Sequence, residues 1–187
     1  TSGIWSIWYN AIAGANNIIA HTESNRSALT ESKYNEIKGV GLALRALLHF
    51  DLLRIFAPSV ARGSGQKAIP YKTTVDQLSK IPSTVSEVID LALQDLDQAA
   101  DLLKKSDPIQ DGGTSRQIKM NYYAVKALQA RILLYKGDKA KAFAAAKLVV
   151  DAASFPFVSG SNISTTFGMD YLFKSELVFG LRVRTIK

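Results

Sequence analysis

Ala127-Leu128-Gln129-Ala130-Arg131-Ile132-Leu133-Leu134-Tyr135-Lys136-Gly137-Asp138 is the stretch that decides the fold. Strong helix formers fill it as far as Lys136, and Gly137 then supplies a natural helix end, because glycine enters the left-handed region without a steric cost. Beyond the glycine, Lys139 to Ala153 is rich in alanine, with Ala140, Ala142, Ala144, Ala145 and Ala146. Ala130 lies twelve residues before Ala142, so small residues fall where two paired helices approach each other, and Leu133, Leu134 and Tyr135 fill the neighbouring large positions. This spacing predicts a helical hairpin of tetratricopeptide (TPR) type, with helices over about 119–136 and 139–153.

Working outward from this hairpin, three more segments show helical periodicity. Trp5, Trp8, Tyr9, Ile12, Ala15, Asn16 and Ile19 recur at three- and four-residue spacing, which predicts a helix over about 4–21. Tyr34, Ile37, Gly41, Leu44, Leu48, Leu52 and Ile55 form the stripe of a second helix over about 33–55, with Ser32 as its expected N-cap. Thr84-Val85-Ser86-Glu87 has the pattern of a capping box, in which hydroxyl and carboxylate each satisfy a backbone donor at a helix start. Val85, Val88, Ile89, Ala92, Leu96, Ala99 and Leu103 then supply an apolar face, and Lys104 and Lys105 complement the negative end of the helix dipole. Pro58, Pro70, Pro82, Pro108 and Pro156 all fall between the helices. The connection over about 57–82 is long enough to suggest a functional loop. Residues 154–175 read as irregular, and 176–184 alternate as a strand with Leu177, Phe179, Leu181 and Val183 on one face. The expected class is all-α: TPR-like antiparallel helix pairs (an α–α superhelix) in one domain, with a long inter-helix loop and a short C-terminal strand.

Composition narrows the function classes. The 187 residues are 47% hydrophobic and 21% charged, as in ordinary globular domains, and no run approaches the roughly 18 apolar residues of a membrane-spanning helix. There is no cysteine, which excludes disulfides, thiolate zinc sites and cysteine nucleophiles within this segment. The net charge is +7, yet Lys and Arg are interleaved with Asp and Glu along the chain, which reads as a solvated surface without a nucleic-acid partner. No leader sequence is visible at Thr1.

Taken in order, several motifs resemble the SusD/RagB family. Trp5-x-x-x-Tyr9-x-x-Ile12-x-x-x-Asn16-x-x-Ile19 is similar to that family's opening helix. Gly41-Leu42-Ala43-Leu44-Arg45-Ala46-Leu47-Leu48-His49-Phe50-Asp51-Leu52 is similar to its Arg-containing second helix, and Ile69-Pro70 to the segment that follows. Thr84-Val85-Ser86-Glu87-Val88-Ile89 with Asp95-Leu96, the 127–138 hairpin, and Ser175-Glu176-Leu177-Val178-Phe179 complete the series. One departure is local: Phe56-Ala57-Pro58 stands where the family has an aromatic–glycine pair before its proline. The resemblance implies an N-terminal helical domain of a longer outer-membrane lipoprotein that binds oligo- or polysaccharides or other nutrients. It also implies a SusC-like TonB-dependent transporter as partner, a lipid anchor on a cysteine before Thr1, and a ligand-rich second half after Lys187.

The chemistry-bearing residues favour binding over catalysis. His21 and His49 lack metal-ligand spacing, and His49 reads as a packed or capping histidine. Asp90, Asp95, Asp97 and Asp101 share one helix and read mostly as solvated surface, not a glycosidase acid pair. Gly63-Ser64-Gly65 lacks the rest of a phosphate loop, and Gly-x-Ser-x-Gly does not occur. No catalytic residue, metal site or cofactor is expected. Trp5 falls on the packed side by spacing, and Trp8 is the other aromatic considered for stacking on sugars. Arg45 and Arg131 read as structural cations paired between helices. Loops on rigid scaffolds carry recognition, so Arg62, Lys67, Tyr71 and Lys72 in the long connection are the expected ligand-binding residues. The rival functions are a TPR adaptor that binds a peptide in its groove and, less well supported, a helical glycan hydrolase.

Overall fold

Six α-helices carry most of the described chain: α1 (Ser2–Ser24), α2 (Glu31–Phe56), α3 (Val60–Gly63), α4 (Val85–Ser106), α5 (Tyr122–Lys136) and α6 (Lys139–Asp151). The computed structural model describes residues 2–76, 81–106, 117–160 and 174–180. Helix ends follow local chemistry. The capping box forms as read: Thr84 N–H donates to Glu87 Oε2 at 2.6 Å, and Glu87 N–H donates to Thr84 Oγ1 at 3.2 Å. At α5 the cap is Asn121, whose Oδ1 accepts from Ala124 N–H, so the helix starts three residues later than its periodicity suggested. Thr30, not Ser32, caps α2 and accepts from Lys33 N–H. Gly137 closes α5 at φ 94°, and Asp138 immediately caps α6 by accepting from Lys141 N–H.

α2 is the central helix, packed against α1 on one side and α4 on the other, with a smaller contact to α5. The single stripe read from the sequence is therefore incomplete: Leu42, Ala43, Ala46, Phe50 and Leu53 are also buried, whereas Ile55 is 54% exposed. A helix flanked on several sides buries more than one stripe. Close approach on both flanks needs glycine. A Cβ on Gly39 would lie 2.8 Å from Leu103 Cγ, and one on Gly41 would lie 2.9 Å from Ile19 Cγ1. The seven apolar positions read on α4 are all at most 1% exposed, each larger side chain contributing roughly 2 kcal/mol through burial. α5 packs on α4, and α6 packs on α5 as the predicted hairpin.

The long connection is not a featureless loop. It holds the one-turn α3, and its middle pairs antiparallel with its returning end: Ala68 N–H donates to Ser83 O at 2.8 Å and Ser83 N–H to Ile69 O at 3.0 Å. The expected strand over 176–184 is corrected where it can be seen. Lys174–Glu176 form a 3-10 turn and 177–180 form no strand, while 181–184 lie outside the described residues, as do Pro108 and most of the segment read as irregular. In place of a strand partner, Asn121 Nδ2 donates to Val178 O and Gly180 N–H donates to Gln117 O. These bonds lay Val178 and Phe179 on the core.

Candidate functional site

Four of the buried polar residues, Asn16, Arg45, His49 and Asp95, converge on one place, the segment from Ile69 to Thr74, where α1, α2 and α4 meet the connection. Arg45 on α2 is 7% exposed and Asp95 on α4 is 5% exposed. Their groups pair side by side: Nε donates to Oδ2 at 2.7 Å and Nη2 donates to Oδ1 at 2.6 Å. This two-pronged geometry is the strongest form of a charge-assisted bond. Nη1 donates to Asn16 Oδ1 at 3.1 Å and reaches Thr73 O at 3.5 Å. Burial works against the Arg45 charge, but Asp95 outweighs it through hydrogen bonds and its charge, and the Arg45 pKa is raised.

Every residue of the segment after Ile69 is gripped in turn. Pro70 O accepts from Tyr9 Oη–H at 2.8 Å. Tyr71 Oη–H donates to Asp95 Oδ2 at 2.6 Å, and its ring stacks on His49 at 3.9 Å. Lys72 N–H donates to His49 Nε2 at 3.0 Å, while Asn16 Nδ2 donates to Lys72 O and to Thr74 O. Because Nε2 of His49 accepts, its proton sits on Nδ1 and is donated to Arg45 O at 2.9 Å. Burial pushes the His49 pKa down to about 4, favouring this neutral tautomer. Burial likewise raises Tyr71 well above the ordinary tyrosine range, reinforced by the Asp95 charge. The arrangement is a latch: four elements are joined through one ion pair and the hydrogen bonds around it.

Latch and ligand expectations meet unevenly. Tyr71, expected to offer an aromatic face to ligand, is 6% exposed and serves the latch, because its hydroxyl and ring both find partners inside. Lys72 is partly buried and pairs with Asp76 at 2.9 Å. Arg62 and Lys67 are exposed, and Lys67 stands at the edge of a surface groove between the connection and α4. Asp95, read with the solvated carboxylates, is instead the buried partner of Arg45. The signal was present: Val88, Ala92, Asp95 and Ala99 follow three- and four-residue spacing along one buried stripe. Arg131 does pair with an acid on another helix, Asp51, at 3.4 Å, but at the surface, with its guanidinium over the Phe50 ring. Trp5 and Trp8 are both partly buried against the core. Among the described residues no group of three or more His, Cys, Asp or Glu side chains is placed to hold a metal, and no helix is long and apolar enough to cross a membrane.

Antiparallel helix pairs locked by a buried ion pair define a TPR-like all-α scaffold. The chain belongs to the SusD-like family described as "Starch-binding associating with outer membrane", whose model matches residues 1–134. A SusD superfamily protein from Bacteroides thetaiotaomicron is 27% identical with a TM-score of 0.72, the match covering 83% of this chain and 33% of that one. A putative sugar-binding protein from Bacteroides vulgatus is 23% identical with a TM-score of 0.77, covering 96% of this chain and 40% of that one. A laminarin-binding SusD-like protein is 23% identical with a TM-score of 0.66, covering 85% of this chain and 32% of that one. The chain thus spans about a third to two fifths of the length of these structures. No curated protein matches it.

Proposed function

We propose that this chain is the helical scaffold of a glycan-capture protein at the outer-membrane surface, one that presents oligo- or polysaccharide to a SusC-like TonB-dependent transporter. The observation that carries the reading is the family match over residues 1–134. A lipid anchor outside these residues fits the same reading. The role is binding rather than catalysis, and the acids of α4 support this: Asp95 is paired inside, Asp97 accepts from Gln129, and Asp90 accepts from Lys136. An acid already held in a structural bond is poorly placed to shuttle protons to a glycosidic oxygen. In this reading the latch fixes the connection to the helices, so that Arg62 and Lys67 stand on a rigid wall as ligand contacts.

The test is calorimetric titration with malto- and laminari-oligosaccharides, alongside co-purification with a TonB-dependent transporter from the same cells. Glycan binding without release of reducing ends, together with transporter capture, is the expected result. Capture of the transporter with no glycan bound, or cleavage of the glycan, would overturn it.

A further inference from the structure

Lys67, Ile81, Ser83, Glu87, Asp90 and Gln94 line an open groove of about 550 Å³ between the returning end of the connection and the outer side of α4. Its volume falls in the range of small-molecule sites, roughly 300–1,000 Å³. Glu87, Asp90 and Gln94 follow three- and four-residue spacing, which places them in a row along one face of the helix. The opposite wall is held by backbone: beside the Ala68–Ser83–Ile69 bonds, Val85 N–H donates to Gln66 O at 3.0 Å. That wall runs directly into the latched segment beginning at Ile69. The groove is therefore formed before any ligand arrives, which lowers the ordering cost of binding.

The lining selects a ligand class. Lys67 and the Gln94 amide donate, Glu87 and Asp90 accept, and Ser83 does both. Lys67 lies near enough to Glu87 for its charge to help lower that carboxyl's pKa, after the larger effect of the Thr84 backbone. Lys136 Nζ bonds Asp90 Oδ1 at 2.6 Å, so each carboxylate has an ammonium beside it and the lining offers no uncompensated charge to an ionic ligand. A chain of neutral hydroxyls, each donor and acceptor at once, matches such a mixed row. Ile81, 83% exposed, adds an apolar contact for the C–H face of a sugar ring. Because the groove is open at the surface, an internal stretch of a polymer can lie in it, where a closed cavity would admit only a chain end. We propose that this groove is a binding subsite for a neutral glycan, with Lys67, Asp90 and Gln94 as its hydrogen-bonding residues. The assignment rests on the glycan-capture reading above and adds the place and the polarity of the ligand.

The experiment is calorimetry of the protein with maltohexaose and with laminarihexaose, repeated on Gln94→Ala and Lys67→Ala, with thermal melts as a folding control. Both side chains are exposed, so the melts should coincide with the parent's. The expected result is binding of at least one hexaose by the parent, weakened about tenfold or more in each variant, the scale of a lost charge-assisted or amide hydrogen bond. Unchanged affinity in both variants would overturn the groove while leaving glycan capture standing. No binding of either hexaose by the parent would overturn the groove and count against glycan capture by these residues.

Discussion

Arg45 keeps its proton at any pH a protein meets, so its place inside the helices has to be answered by a fixed negative charge, and Asp95 is that charge. The pair alone is weak grounds for stability, since removing two charges from water offsets much of their attraction. Breaking it is another matter. Asp95→Ala leaves a buried guanidinium unpaired and strands the Tyr71 hydroxyl, and is expected to cost about 3–5 kcal/mol in urea denaturation. A loss below about 1 kcal/mol would show that the latch does not hold the fold. His49 gives the same site a pH dependence. Its folded pKa is depressed to about 4 from 6.5, so the folded chain resists the proton that the unfolded chain accepts. The stabilisation is complete above about pH 6.5 and declines as pH falls toward 4, by roughly 3 kcal/mol in all. Protonated His49 can no longer accept from Lys72 N–H, so the connection loosens as the charge arrives. Denaturation midpoints measured from pH 7.5 to 4.5 should fall more steeply for the parent than for His49→Gln. Parallel curves would remove His49 from the account.

At the scale of elements, the closest helix contacts fall on two glycines. Alanine usually favours a helix by about 1 kcal/mol over glycine, but at Gly41 the new methyl would meet Ile19 at 2.9 Å and the Ala15 carbonyl oxygen at 3.6 Å. Gly41→Ala should therefore reverse the usual sign and destabilise by about 1–3 kcal/mol as α1 is pushed from α2. Gly14→Ala, with nothing within 4 Å, should stabilise slightly. Melting both variants side by side checks the contrast, and equal shifts would mean that α1 and α2 do not approach this closely. Elements were legible where sequence signals are local. The capping box and stripe of α4, and Gly137 between α5 and α6, are short-range patterns, and they form as read. α2 was legible as a helix but not as the centre, because its burial depends on α1 and α4, which no local pattern in α2 announces. The alternation at Leu177 and Phe179 is genuine, yet a strand needs an adjoining edge; among the described residues Gln117 and Asn121 meet those backbone groups instead. The site follows the same logic. Arg45 as a paired cation was legible from its apolar surroundings, whereas Tyr71 was read outward because nothing local reveals that His49 and Asp95 wait on two other helices.

At the scale of the molecule, stability should be graded along the stack. α1, α2 and α4 share the latch and most of the fully buried side chains, including Phe50, Leu52, Leu53, Ile89 and Leu96. α6 has α5 as its principal partner, and its only buried residues are Ala142 and Ala145. Two alanines contribute little apolar burial, and Phe143 at 69% and Val150 at 60% exposure contribute less than their size would allow. The ends of α6 are tied mainly by the Asp138 cap and by the Lys147–Asp151 pair, which is exposed and worth well under about 1 kcal/mol. Local opening of α6 should therefore need far less free energy than opening of α2, and the two should exchange as separate cooperative units. Hydrogen exchange followed by mass spectrometry tests this. Amides of Lys141 to Val150 should exchange well ahead of those of Leu42 to Leu53, and Asp95→Ala should accelerate the second set while leaving the first nearly unchanged. Should α6 exchange together with α2, the hairpin and the latch belong to a single unit, and α6 draws its stability from contacts beyond α5.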